Sequence, residues 1–317
     1  MSPDDSPRGV AISIVIPTYR RPELVRRAVA SAGVLRAGDE IVVVDDGSPE
    51  DVAAALAGLP GVRLVRQENA GVGPARNRGL AEAANEWVLV VDDDDELTEG
   101  ALDAIRREIP DWEAQAAFPV LTFASSNAWL PFEGRRPLTF EDYALGRFRG
   151  DLIPLIHRPR FRAAGYEYPD TRVGGEHLLW YRIAAEATIP ASSLLVVRKH
   201  DDAEERLTSG EAHLRRAREH AELQEETLTR FGAALRELSP AAYARRRLGA
   251  ATFRLLCGDR AGAREHLRRS ELPRLDRRRL GLWLATLLPD RLVSGLFVRY
   301  RRRQWTRAVP GSDTTPQ

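Results

Sequence analysis

An α/β fold, with a mostly parallel, doubly wound sheet flanked by helices and a helical extension behind it, is what this chain of 317 residues predicts. Three observations predict it. Short Val-, Ile- and Leu-rich runs recur at residues 12–16, 41–44, 62–65 and 87–91, the last without any polar alternation, as in a strand buried on both faces. Helical segments lie between them, so that four strands and three helices fill about 80 residues, the pattern of right-handed βαβ units. From residue 212 onward the chain reads as helical and basic, with breaks near Pro240, Gly258, Pro273 and Pro289.

Taken in order, residues 12–16 form a strand closed by Pro17, and residues 23–32 set Leu24, Val25, Ala28 and Val29 among arginines as an amphipathic helix. Residues 41–44 repeat the pattern and end in Asp45-Asp46-Gly47-Ser48-Pro49 before a helix over 52–57. Residues 62–65 are a third strand, followed by a Gly-rich turn and a helix over 75–84. The apolar run that begins at Trp87 then passes directly into Asp92-Asp93-Asp94-Asp95. Farther on, residues 101–109 read as a helix, 118–123 as a strand, 125–150 as an irregular aromatic stretch, 176–187 as a helix, and 194–197 as a short strand leading to His200. The expected division is a flexible stretch 1–10, a catalytic domain 11–210 and a basic helical region 211–317.

Composition narrows the function. With 43% hydrophobic and 29% charged residues the chain is globular. Its formal charge of +1 hides an acidic first two thirds and a basic last third, a split that suggests different partners for the two parts. The single Cys257 excludes an internal disulfide and a cysteine-rich metal site. The N-terminus lacks the basic and apolar regions of a signal peptide, and the longest apolar stretch, 280–288, is too short to span a bilayer. The expected location is cytoplasmic, with peripheral contact at the inner face of a membrane open to the basic region. Only Lys199 among the 47 basic residues is a lysine, read here as coding bias.

Three strand ends carry the chemistry: Pro17-Thr18-Tyr19, Asp45-Asp46-Gly47-Ser48 and Asp92-Asp93-Asp94. In open α/β sheets ligands bind outside the carboxyl ends of the strands. Adjacent carboxylates repel one another unless a cation or water compensates them. An aromatic and a hydroxyl for a base, a carboxylate for an imino N–H, and paired acids for a metal on a diphosphate together make a nucleotide-diphosphate site. Singly, each has a plainer reading: Asp45 to Ser48 is an ordinary turn sequence, and Glu176 is an acid at a helix N-terminus.

These stretches, with Asn69-Ala70-Gly71-Val72-Gly73-Pro74-Ala75-Arg76-Asn77 and Gly175-Glu176-His177-Leu178-Leu179-Trp180-Tyr181-Arg182, resemble the family-2 inverting glycosyltransferases of the A-type fold, Rossmann-like in architecture. The resemblance implies that Pro17, Thr18, Tyr19, Asp45, Asp46, Asn69, Gly71, Arg76, Asp92 and Asp93 bind a nucleotide-sugar, UDP-, GDP- or dTDP-linked. It further implies Mg²⁺ or Mn²⁺ on Asp94, with Asp92 and His200 as further ligands, and Glu176 as the general base. His177 stands where the family has a second acid, which leaves His177 a rival for the base. Aromatic residues Trp129, Phe132, Tyr143, Phe148, Tyr166 and Tyr168 would form the acceptor side, for a glycan, lipid-linked or small-molecule acceptor. Two other classes share parts of this pattern. A sugar-1-phosphate nucleotidyltransferase should carry a Gly-rich loop after the first strand, and Pro17 to Pro22 has no glycine. A non-catalytic nucleotide-sugar-binding homologue would keep the sheet and lose the base.

The stretch 241–310 combines arginine triplets with Leu280, Leu282, Trp283, Leu284, Leu287, Leu288, Leu292, Leu296 and Phe297. It reads either as a bundle packing its apolar stripe or as a peripheral membrane anchor. Nucleic acid is not expected, since no binding motif accompanies the charge.

Overall fold

The structure is a computed structural model and describes residues 10–200 and 210–308. The expected flexible stretch 1–10 lies outside the described residues except for Val10. The chain falls into two compact units, Met1–Ala203 and Glu204–Gln317.

The first unit opens with β1 (Ile12–Thr18), α1 (Pro22–Ser31), β2 (Glu40–Asp45), α2 (Val52–Leu56), β3 (Val62–Arg66), α3 (Val72–Glu82) and β4 (Trp87–Val90). It continues through β5 (Asp95–Leu97), α4 (Ala101–Glu113), β6 (Val120–Ser125), β7 (Arg135–Leu138), α5 (Phe140–Leu145), β8 (Leu152–His157), α6 (Arg158–Ala163), α7 (Glu176–Glu186) and β9 (Ile189–Lys199). One mixed sheet results, in the order β3-β2-β1-β4-β8-β6-β9-β5, with β7 on β9. The pairings β3/β2, β2/β1 and β1/β4 are parallel, as expected, while β8 runs antiparallel to both β4 and β6.

Strand alternation fills two layers of core. Ile12, Ile14, Ile16, Val43 and Leu89 meet Val25, Ile105 and Trp112 on one face. Val15, Val42, Val44, Val88 and Val90 meet Ala75, Leu80, Leu179 and Ile183 on the other. The period of two in a strand sends neighbours to opposite faces, so these near-continuous apolar runs fit a sheet covered on both sides. Pro110 does not end α4 as expected; it forgoes one backbone hydrogen bond, and Trp112, 2% exposed, anchors the turn beyond it. The irregular stretch 125–150 contains β7 and α5, the latter started by a capping box between Thr139 and Asp142.

The second unit is helical: α8 (Gly210–Arg215), α9 (Ala217–Leu238), α10 (Pro240–Leu256), α11 (Arg260–Arg268), α12 (Arg277–Ala285) and α13 (Asp290–Ala308). Leu248, Ala251 and Leu267 pack with Leu282 and Trp283. Leu255, Ala263 and Val293 pack with Ala285 and Leu288. Only part of the leucine stripe is therefore spent on the bundle. No helix among the described residues is long and apolar enough to cross a membrane.

A buried ion pair ties the start of the sheet together. Asp39 accepts hydrogen bonds from the Ile12 amide at 2.9 Å and the Arg36 amide at 3.0 Å, and pairs with Arg106, whose Nε donates to the Val10 carbonyl at 2.9 Å. Both side chains are at most 5% exposed. Arg106→Leu strands a buried carboxylate, and the expected loss is about 3–5 kcal/mol, to be read from urea unfolding. An unchanged midpoint would mean that the pair contributes nothing.

Candidate active site

The β4 strand delivers its acids into a turn rather than a free loop, because β5 starts at Asp95 and pairs antiparallel with the end of β9. That register sets Asp95 opposite Lys199. The Lys199 Nζ lies 2.7 Å from Asp95, 3.5 Å from Asp92 and 3.4 Å from Asp151. Burial opposes the charge on Lys199, but the three carboxylates outweigh it and keep the amine firmly protonated. Burial, with the charge of Asp92, pushes Asp95 up to about 7.

The remaining acids have separate partners. Asp93 accepts from the Thr18 hydroxyl at 2.7 Å and from Arg21 at 3.0 Å, and burial pushes it up to about 6. Arg21 also approaches Asp94 at 3.4 Å. Arg76 donates to Asp92 at 2.6 Å and, from its other terminal nitrogen, to Glu176. Desolvation works against Asp92, yet Arg76 and Lys199 hold its carboxyl below the usual carboxylate range.

The segment 69–77 and the loop before α7 are joined closely enough to bring Glu176 to this point. Asn77 clamps Tyr168 through both its amide groups at 2.9 Å, and Tyr168, buried, lies under the Arg76 guanidinium at 5.3 Å. A Cβ at Gly73 would sit 2.1 Å from the Pro169 carbonyl oxygen, so only glycine admits the approach. Gly71, at φ 108°, occupies a left-handed conformation. Asp46 pins the same segment, accepting from the Ala70 and Gly71 amides at 2.9 and 2.8 Å and from Gln67 at 2.8 Å. Asn69 donates to the Asp46 carbonyl at 3.0 Å.

Thus the structure gathers Arg76, Asp92 and Glu176 into one contact network and Thr18, Asp93 and Asp94, through Arg21, into another beside it. Pro17 is buried within β1, Asp45 is buried with the Ser48 amide on it at 2.8 Å, and Tyr19 is exposed beyond the strand. Two expectations need correcting. His200, one residue past the end of β9, lies with its Nε2 3.1 Å from Glu96 and falls outside the acidic group expected to hold a metal. The group whose ligand atoms fall within 4.8 Å of one another is Asp92, Asp94 and Asp95. Tyr166 and Tyr168 belong to the core and not to an acceptor face, whereas Trp129 is exposed. The His177 ring meets Tyr181 edge-on at 5.7 Å.

Sequence reasoning missed Lys199, Asp95 and Arg21. The signal for Lys199 was its being the sole lysine; its partners required the β5/β9 register. Lys199→Met leaves Asp95, 1% exposed, without its cation, and a loss of about 3 kcal/mol is expected in metal-free urea unfolding. Equal stability of mutant and wild type would deny Lys199 this role.

The family model described as Glycosyl transferase family 2 matches residues 13–181. Among curated proteins, a GalNAc(5)-diNAcBac-PP-undecaprenol beta-1,3-glucosyltransferase of Campylobacter jejuni is 27% identical over 192 residues, covering 55% of this chain and 60% of that protein. The succinoglycan biosynthesis protein ExoO of Rhizobium meliloti is 33% identical over 168 residues, covering 51% and 44%. The chain thus spans less than two thirds of the length of these relatives. Among solved structures, S. aureus TarS 1–349 in complex with UDP-GlcNAc superposes with TM-score 0.55 at 16% identity, covering 94% of this chain and 92% of that one. The mannosyltransferase PcManGT from Pyrobaculum calidifontis, in complex with GDP-Man and Mn²⁺, gives 0.52 at 16%, covering 91% and 87%. At these identities the likeness is one of fold.

Proposed function

Because the chain belongs to glycosyl transferase family 2, we propose that it is a glycosyltransferase that moves a sugar from a nucleoside-diphosphate sugar to an acceptor hydroxyl with inversion at the anomeric carbon. The observation that carries this reading is Arg76, which links Asp92 on the donor side to Glu176 at the N-terminus of α7. One buried cation thereby sets the separation between an acid that would hold a metal on the diphosphate and a proton acceptor.

In this reading the acceptor oxygen attacks the anomeric carbon as Glu176 takes its proton, and the bond to the diphosphate breaks with its electron pair leaving on the diphosphate. Arg76 holds Glu176 in line. Arg21 and Thr18, through Asp93, fix the acidic turn against β1. Asp46 keeps the 69–71 turn closed at the edge of the nucleotide side. The oxygens of Asp92, Asp94 and Asp95 are the hard donors that Mg²⁺ or Mn²⁺ takes, and their 4.8 Å span fits one such ion. When bound, the cation would offset the charge on the departing diphosphate. Lys199, already on Asp92 and Asp95, is the protein's own positive charge at that place.

The relatives named for an undecaprenol-linked acceptor and for succinoglycan synthesis support an acceptor in polysaccharide or cell-envelope assembly, lipid-linked or glycan. On the acceptor side, Asp151 accepts from Asn127 at 3.1 Å as well as meeting Lys199, and the Trp129 backbone bridges to Arg149 nearby in sequence. The exposed indole of Trp129 suits the apolar face of a sugar.

Glu176→Gln is expected to lower kcat by about 10²–10⁴ with donor Kd unchanged, since the base acts on the acceptor. A larger loss in His177→Asn, with a rate limb near neutral pH, would move the role to the imidazole. Asp94→Asn should abolish Mn²⁺-dependent turnover while the fold is kept; retention of wild-type rates would overturn the metal assignment. Trp129→Ala should raise the acceptor KM and leave donor affinity alone, and a rise in donor Kd instead would place the indole on the other substrate.

A further inference from the structure

Six of the ten large hydrophobic side chains exposed among the described residues fall within residues 275–296: Leu275, Leu280, Leu284, Leu287, Leu292 and Leu296. They are the outer half of a stripe whose inner half packs. On α12, Leu282 and Trp283 turn toward Leu248 and Leu267, while Leu280 and Leu284, four residues apart, share an outward line at 39% and 53% exposure. On α13, Val293 is buried, while Leu292 and Leu296 form a second such line at 55% and 53%. Leu287, 66% exposed, lies in the turn that joins the two helices.

The charge around these leucines is of one sign. Arg274, Arg277, Arg278, Arg291 and Arg299 are exposed and make no ion pair among the described residues. The nearby acids are already spent: Glu271 on Arg236 at 2.7 Å, Asp290 on Arg260 at 2.6 Å, and Asp276 as the cap of α12, accepting from the Arg278 and Arg279 amides at 3.0 Å.

We propose that this face of α12 and α13 docks on the surface of an anionic lipid bilayer, with the leucines in the acyl boundary and the arginines among the headgroups. Leucine lines flanked by arginine are the pattern of an interfacial helix, and each arginine near an anionic leaflet adds attraction. A second copy of the chain fits less well, because a two-fold contact would set the same five unpaired arginines against themselves. The helices lie on the membrane and do not cross it, consistent with the absence of a spanning helix among the described residues. The inference rests on this surface alone and not on the acceptor reading above.

The test is co-sedimentation of the full chain with vesicles of pure phosphatidylcholine or of equal phosphatidylcholine and phosphatidylglycerol, with no acceptor present. Wild type should pellet with the anionic vesicles at least tenfold more than with the neutral ones, and high salt should weaken this. The triple variant Leu284→Asn, Leu287→Asn, Leu292→Asn should lose most of that binding while keeping its helical circular dichroism; the exposure of these side chains protects the fold. A charge variant, Arg277→Gln with Arg278→Gln and Arg291→Gln, should lose it in parallel. Wild type remaining in the supernatant with both vesicles would overturn the proposal. So would a leucine variant that binds like wild type, or sedimentation equilibrium that finds a dimer abolished by the leucine substitutions with no vesicle binding. Failure here leaves soluble-acceptor turnover untouched, and that assay judges the glycosyl-transfer reading separately.

Discussion

The first unit depends most on a single guanidinium. Arg76 is buried over the Tyr168 ring, with one terminal nitrogen on Asp92 and the other on Glu176, the latter 100 positions farther along the chain than Arg76 itself. Burial opposes its charge, and the two carboxylates outweigh that cost and hold it more firmly protonated than an ordinary arginine. A buried charge persists when it is paired and hydrogen-bonded. The glycines at 71 and 73, the Asn77 clamp and the Asp46 anchor all act to bring two backbone segments near enough for that pairing. A change to any of them is thus a change to the spacing of the site's two acidic ends.

The parallel half of the sheet was legible because β1, β2 and β4 are buried on both faces and so leave near-continuous apolar runs, while the half-buried edge strand β3 still carries Val62, Leu64 and Val65. β8 and β5 were not. β8 carries Pro154 within its apolar run, and β5 consists of acid-rich residues whose strand character comes from pairing with β9. For the same reason β9 extends well beyond the expected 194–197: Pro190, a bulge and two charged residues hide a strand that long-range pairing creates. Local pattern reports burial well and pairing poorly.

The site divided along the same line. The acids at strand ends were visible because topology and motif spacing agree on where they go. What neutralises them was not, since Arg21, Arg76 and Lys199 come from three separate parts of the chain. The acidic run looked as though it required an external cation; the fold surrounds it with three of its own. His200, assigned to the metal by resemblance, instead has its ring beside Glu96 just past the end of β9.

The arginine-rich composition has a chemical consequence at Lys199. Apart from the α-amino group, this side chain is the one primary amine in the chain, and it lies in the middle of the carboxylates that define the site. Amine-directed acylation, which in most proteins scatters over the surface, has here a single internal address. The same carboxylates keep that amine in its protonated, non-nucleophilic form, so its reactivity is a built-in reporter of whether the acidic turn is assembled.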